Sequence, residues 1–207
     1  MKRFILFLFI LFSFFSFSQK VESSILDKEQ ITQRELQNLS DFPIYKAYEF
    51  KDKGGVFELV LCENKKNSLK KDTLNTKIQA ICGMSDHGGF LEKWRINDLL
   101  EDYVPKETNI WFWTKYCSTK DIDGDGYAEP IIVYGTRTEY GEIRRVKIIT
   151  VYSNKKYAIR AVECDLDICR SFKKDKEWNL LPQKIKTYID NLIVKIRKEQ
   201  GLLLKDG

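Results

Sequence analysis

Only one histidine, His87, occurs in the 207 residues, which excludes any site built on two imidazoles. Four prolines and eleven glycines are too few for a collagen-like repeat or a Pro-rich linker. No G-x-x-x-x-G-K-[ST], G-x-G-x-x-G or G-x-S-x-G segment occurs, so a phosphate-cradling loop, a dinucleotide fingerprint and a nucleophile elbow are all missing. Neither sign of charge dominates: 35 Lys and Arg stand against 30 Asp and Glu, and the net +5 is too mild and too dispersed to indicate nucleic acid. After the first eighteen residues no apolar stretch is long enough to span a bilayer. What is abundant is core material. Apolar residues make up 43% of the chain and aromatics 13%, so it is expected to fold around a substantial core.

The chain opens with Met1-Lys2-Arg3, a run from Phe4 to Phe17 of Phe, Ile, Leu and Ser only, and a small-x-small site at Ser16-Phe17-Ser18. This is the pattern of a secretory signal over residues 1–18 and predicts export to the periplasm, the outer envelope or the medium. Loss of Lys2 and Arg3 with that leader lowers the net charge by two. Export makes disulfides possible. The five cysteines are Cys62, Cys82, Cys117, Cys164 and Cys169, an odd number that leaves at least one unpaired within a chain. Cys164 and Cys169 bracket a short loop that a bridge could close, and Cys62 and Cys82 end apolar runs that could face each other on adjacent strands. No pair has zinc spacing.

Residues 19–41 read as a polar segment with a short helix near 28–39, and residues 42–200 as a single globular domain. Ile44–Phe50 and Val56–Cys62 flank Lys51-Asp52-Lys53-Gly54-Gly55 and read as a hairpin. Residues 63–73 read as a charged, solvated loop with Leu69 as its one apolar residue. Thr76–Cys82 and Phe90–Ile96 form a second strand pair across the turn-rich segment Gly83–Gly89. A helical turn is expected over 97–103, and one strand over Ile110–Cys117. Three further strands follow at Ile131–Thr136, Val146–Tyr152 and Tyr157–Glu163, with short connections that imply antiparallel neighbours. In the middle one, Val146, Ile148, Thr150 and Tyr152 alternate with Lys147, Ile149 and Val151, and burial on both faces is expected. Leu181, Ile185, Tyr188, Ile189, Leu192, Ile193 and Ile196 then recur at helical spacing after Pro182. The fold class expected is α+β, a mainly antiparallel sheet covered by a C-terminal amphipathic helix that ends near Gly201.

One segment carries chemistry. Asp121-Ile122-Asp123-Gly124-Asp125-Gly126-Tyr127-Ala128-Glu129 places acids at loop positions 1, 3, 5 and 9. A hard cation such as Ca²⁺ takes about six to eight oxygens. Alternate positions of a tight loop point carboxylates inward, and Gly124 and Gly126 permit the positive φ angles that curl it. Asp121, Asp123, Asp125, Glu129 and the carbonyl of Tyr127 are the expected ligands of a structural Ca²⁺. It is not a full EF-hand, because position 12 is Ile132 and Pro130 opens a strand.

The segment resembles the D-x-D-G-D-G-x-x-D/E loops of FG-GAP-type propeller repeats and related extracellular calcium loops, which join two β-strands. Only one copy occurs, so a propeller is not implied. A longer resemblance runs through Lys93–Asp98, Trp111-Phe112-Trp113, the acidic loop, Pro130–Thr136 and Ala158-Ile159-Arg160. It is to a family of small exported bacterial proteins labelled as surface polysaccharide biosynthesis proteins, and it implies a cell-envelope glycan context without catalytic residues.

Other candidates are weaker. Ser85-Asp86-His87 are sequence neighbours in a glycine-rich turn and do not make a triad. Asp165 and Asp167 read as solvated. Trp94, Trp111, Trp113 and Tyr116 are core aromatics before they are a sugar-stacking platform. No catalytic or organic-cofactor residue is assigned. The expected function is a non-enzymatic binding or assembly factor of the envelope, whose partner is a cell-surface glycan or an envelope protein. The alternatives are a calcium-dependent glycan-acting enzyme and a secreted inhibitor or interaction module.

Overall fold

The computed structural model of the chain describes residues 21–67, 73–86 and 89–205. The expected leader, Leu69 and His87 lie outside the described residues. The chain begins with β1 (Glu22–Ile25), α1 (Lys28–Gln33) and a 3-10 turn at Leu36–Leu39. The β2 (Ile44–Asp52) and β3 (Gly55–Glu63) strands form the expected hairpin. Two-residue strands β4 (Lys66–Asn67) and β5 (Thr73–Leu74) precede β6 (Lys77–Asp86) and β7 (Gly89–Leu99). Next come β8 (Glu107–Phe112), β9 (Ser118–Lys120), β10 (Glu129–Thr138), β11 (Ile143–Tyr152), β12 (Lys155–Val162) and β13 (Ser171–Lys174). Helix α2 (Gln183–Gln200) closes the fold.

The strands form two main sheets, ordered β1-β2-β3-β6-β7 and β13-β12-β11-β10-β8, with β9 also on β10. Every pairing among the described residues is antiparallel. The α+β expectation holds, with the strands divided between two layers.

The period-2 alternation of side chains explains the layering. Leu59, Leu61, Ile78 and Ala80 of the first sheet meet Ile110, Phe112, Ile132 and Tyr134 of the second in a core between the sheets. The neighbouring residues Ile131 and Val133 point the other way and pack with Val146, Ile148 and Ile159 under α2. The second sheet is thus buried on both faces, which is why β10 and β11 read as near-continuous apolar runs. On the far side, Ala47, Val60 and Cys62 pack against Leu26 and Leu36 of the N-terminal segment. Helix α2 contributes Ile185, Ile189, Ile193 and Ile196 to its core. It starts after Pro182 and stops at Gly201, whose N–H donates to the Arg197 carbonyl at 3.0 Å. No described helix is long and apolar enough to cross a membrane.

Several boundaries differ from expectation. The strand expected over Ile110–Cys117 ends at Phe112, because the chain turns with the Tyr116 N–H donating to the Trp113 carbonyl at 2.8 Å. That turn carries Trp113 and Tyr116 into the core beneath α2. β7 continues to Leu99 where a helical turn was expected, and β6 continues through Asp86 into the presumed turn. The loop expected to be solvated over 63–73 starts with Glu63 as the buried end of β3 and holds β4 and the first residue of β5. The N-terminal helix stops at Gln33, since Glu35 adopts a left-handed conformation before the 3-10 turn. Edge strands β1 and β13 have no clear periodicity and were not expected.

Cys62 and Cys82 do not face each other. Cys62 lies opposite Gln79, Cys82 lies opposite Leu59, and the two thiols sit in different cores on opposite faces of the first sheet. Cys164 and Cys169 are joined as a disulfide, with Cα atoms 5.7 Å apart. Cys62, Cys82 and Cys117 are free thiols.

Candidate metal centre

The acidic loop leaves β9 and re-enters the sheet as β10, one strand-width away. Carboxylate oxygens of Asp121, Asp123, Asp125 and Glu129 all lie within 4.8 Å of one another. Local chemistry produces this convergence. Asp121 accepts the Gly124 N–H at 2.6 Å and the Gly126 N–H at 3.0 Å. Asp123 accepts the Asp125 N–H at 3.1 Å, and Asp125 accepts the Tyr127 N–H at 2.8 Å. Glu129, buried at the start of β10, accepts the Ile122 N–H at 2.6 Å and closes the loop. Short polar side chains that bond two or three residues onward are the usual means of holding such turns.

The electrostatics are adverse for a loop with no cation. Burial, reinforced by the charges of Asp123, Asp125 and Asp121, pushes the Glu129 carboxyl up to about 7 against the pull of the Ile122 N–H. Burial and the charges of Asp125 and Asp121 also raise Asp123, although the Asp125 N–H and Lys184 oppose the shift. A hard divalent cation fits this donor set: four anionic oxygen donors converge, no soft ligand is present, and the burdened carboxylate is the buried one. The side chain of Tyr127 is half exposed beside the cluster.

Three residues that the sequence did not single out fasten the loop from outside. Asp52, at the end of β2, accepts the Ala128 N–H at 3.0 Å and the Gly54 N–H at 2.6 Å. The Lys53 N–H donates to the Gly126 carbonyl at 3.0 Å, and its ammonium donates to the Asp125 carbonyl. The Lys184 ammonium, from the first turn of α2, donates to the Asp123 carbonyl. The loop therefore joins the first sheet, the second sheet and the helix. Nothing local to Lys51–Gly55 signals this role, since as sequence it is only a good hairpin turn.

Beside the loop lies a cavity of about 700 Å³, between the β2–β3 turn, the β6–β7 hairpin and the β11–β12 turn. Asp125, Tyr127 and Glu129 form part of its wall together with Trp94. The other candidates are dispersed. Trp113 and Tyr116 are buried under α2, Trp111 packs at the edge of that core, and Trp94 is on the other sheet, so the four make no common platform. Asp167 pairs with Arg170, and neither it nor Asp165 joins the acidic cluster. Ser85 lies in β6, and its N–H donates to Glu58 at 3.1 Å.

Comparison with known proteins found no matching family model, no matching curated protein and no matching solved structure.

Proposed function

We propose that this is an exported, calcium-stabilised protein of the cell envelope that acts as a non-enzymatic binding or assembly factor in connection with surface glycans. The observation that carries the calcium reading is the convergence of four carboxylates within 4.8 Å, one of them buried, on a loop that fastens both sheets and α2. The ion's role is structural: it neutralises the cluster and holds the connection between β9 and β10, with Asp121, Asp123, Asp125, Glu129 and the Tyr127 carbonyl as its ligands.

With Glu129, the wall carboxyl that burial raises to about 7, assigned to the ion, the rest of the cavity gives the enzyme alternative no clear acid. Hydrolysis of a glycoside asks for a carboxylic acid poised to give up a proton, opposite a second carboxylate. Outside the loop the cavity offers Asp52 and Glu92. Asp52 commits both oxygens to backbone N–H groups. Glu92 is held below the usual carboxylate range by its hydrogen bonds from Arg95. Neither is placed as a proton donor.

Calorimetry with and without chelator tests the calcium reading. An ion that binds only the native state stabilises it by about 2.7 kcal/mol at a hundredfold excess over Kd. Chelation is expected to lower Tm in the wild type and in Asp165→Ala, but not in Asp123→Ala or Asp125→Ala. A wild-type Tm indifferent to chelator, with no ion detected on titration, overturns it. Mass spectrometry of the protein from its native envelope tests export: an N-terminus near Gln19 is expected, and an intact Met1 refutes cleavage.

A further inference from the structure

We propose that the cavity beside the acidic loop is a binding site for a neutral sugar unit, in which one ring stacks on Trp94 and Tyr127 while its hydroxyls donate to Asp52. This rests on the binding-factor reading above and gives it a location and a ligand class.

The lining is the first argument. Phe57, Trp94 and Tyr127 arrive from β3, β7 and the acidic loop, and all three line the same cavity. None of these rings is fully buried, and Tyr127 keeps 50% of its surface exposed. Partly open aromatic side chains from three separate segments, set among polar groups around about 700 Å³, form a mixed aromatic and polar surface of ligand-site size. A pyranose presents flat C–H faces to such rings and a rim of hydroxyl donors to acceptors beside them. Asp52 supplies the acceptors, because each of its oxygens takes a single backbone N–H and retains further lone-pair capacity.

Charge selects among the ligands that aromatic rings attract. The wall carries Asp52, Glu92, Asp125 and Glu129 against Lys93. Glu92 is matched by Arg95 at 2.8 Å. A calcium ion cancels two of the loop's four carboxylate charges, and the ammonium groups of Lys53 and Lys184 on the loop carbonyls offset the other two, so Asp52 remains against Lys93 and the cavity is close to neutral. A cationic ligand then has no net attraction, and an acidic sugar must lie against Asp52. A neutral polyhydroxyl ring satisfies both the apolar faces and the acceptors.

The wall is also held in place. Asp52 and Lys53 tie the β2–β3 turn to Ala128 and Gly126 of the loop, so the Tyr127 side of the cavity is fixed relative to the first sheet. Preorganisation of this kind lowers the ordering cost of binding.

Tryptophan fluorescence of the full mature chain in excess calcium tests the proposal, because Trp94 alone of the four tryptophans lines the cavity. The probes are maltose, lactose, cellobiose and chitobiose, with glucuronic acid and trilysine as charged comparators. Saturable quenching by at least one of the neutral disaccharides is expected. Affinity should fall about tenfold or more in Tyr127→Ala, and Trp94→Phe should abolish the signal, with weak binding retained by calorimetry. Tyr140→Ala, at an exposed site remote from the cavity, should bind as wild type. Tyr127→Ala is read only with its Tm unchanged, and if Tm falls, Tyr127→Phe must restore the affinity.

No saturation by any neutral disaccharide, binding of trilysine or glucuronic acid alone, or affinity indifferent to both aromatic substitutions overturns the proposal. Product analysis separates its failure from that of the parent readings. Turnover of a bound disaccharide refutes the binding-factor reading and leaves the ligand class standing. Calcium uptake measured by titration without sugar binding refutes the cavity assignment alone.

Discussion

Gly126 is the most constrained position of the acidic loop. Its φ is +92°, and a Cβ there would come within 2.3 Å of the Lys53 side chain, which crosses the loop to reach the Asp125 carbonyl. Gly124 has a similar φ of +89°, but a Cβ there would meet only the Lys184 ammonium, at 3.5 Å. An unfavourable φ costs about 1–3 kcal/mol. Gly126→Ala also displaces Lys53, so it is expected to destabilise more than Gly124→Ala. Urea unfolding of the two variants in excess calcium measures the difference, and equal losses would remove Lys53 from the account. The same scale shows what was legible locally. All four acids of the cluster, and the tyrosine between them, lie within nine consecutive residues, so their spacing alone brings them together. Asp52, Lys53 and Lys184 lie 61 to 76 residues away from the loop positions they hold, and no spacing rule reaches them.

Among the elements, α2 is the clearest case of periodicity deciding structure. Its apolar residues fall at three- and four-residue steps, and the helix lies with that stripe on the second sheet. Ile189 is fully buried in the middle of the contact, whereas Val194 is 59% exposed on the opposite side. Ile189→Ala is expected to cost about 2–5 kcal/mol, the range for removing a buried branched side chain. Val194→Ala should stay within about 0.5 kcal/mol. Chemical denaturation of both variants checks the pair, and a large loss for Val194→Ala would mean the helix has a second partner. The strand over Ile110–Phe112 shows the limit of such reading. Trp113, Tyr116 and Cys117 prolong the aromatic and apolar character, yet the chain turns there and carries Trp113 and Tyr116 into the core under α2.

At the scale of the molecule, the two sheets are clamped by a network of charges as well as by their shared core. Arg145 of β11 bonds Glu107 of β8 through two hydrogen bonds of 2.6 and 2.7 Å, and also the Leu99 carbonyl at the end of β7. Lys147 reaches Asp98 of β7 at 2.6 Å. Burial opposes ionisation of Glu107, but Arg145, the Glu101 N–H and the Thr136 hydroxyl outweigh it and hold the carboxyl below its ordinary 4.5. Burial likewise opposes ionisation of Asp98, and Lys147 with the Tyr134 hydroxyl and the Leu99 N–H brings it below 3.8. A carboxyl depressed in the folded state stabilises the protein fully above its unfolded pKa, and that stabilisation is lost as pH falls through the folded value. Tm is therefore expected to drop as pH falls below about 4.5. Glu107→Gln should flatten that drop and cost up to about 3–5 kcal/mol at neutral pH, because it removes the one fully buried charge on Arg145 and leaves Glu101 and Asp98 to balance it. Thermal melts across pH 3–7 test both, and an unchanged acid slope in the variant would assign the drop to other carboxylates.

The sequence by itself determined what depends on near neighbours. The acid spacing of the loop, the hairpin at Lys53-Gly54, the two-faced burial of β11 and the stripe of α2 all follow from alternation, turn chemistry or helical period within one segment. Tertiary structure alone decided which layer each face meets. Alternation places Leu59 and Val60 on opposite sides of β3, but only the assembled sheets put one between the layers and the other against Leu26. That assignment also separates Cys62 from Cys82 and gathers Phe57, Trp94 and Tyr127 around one cavity. The reason is range: backbone geometry relates residues a few positions apart, whereas the position of Asp52 relative to Ala128 depends on how the whole chain closes its cores.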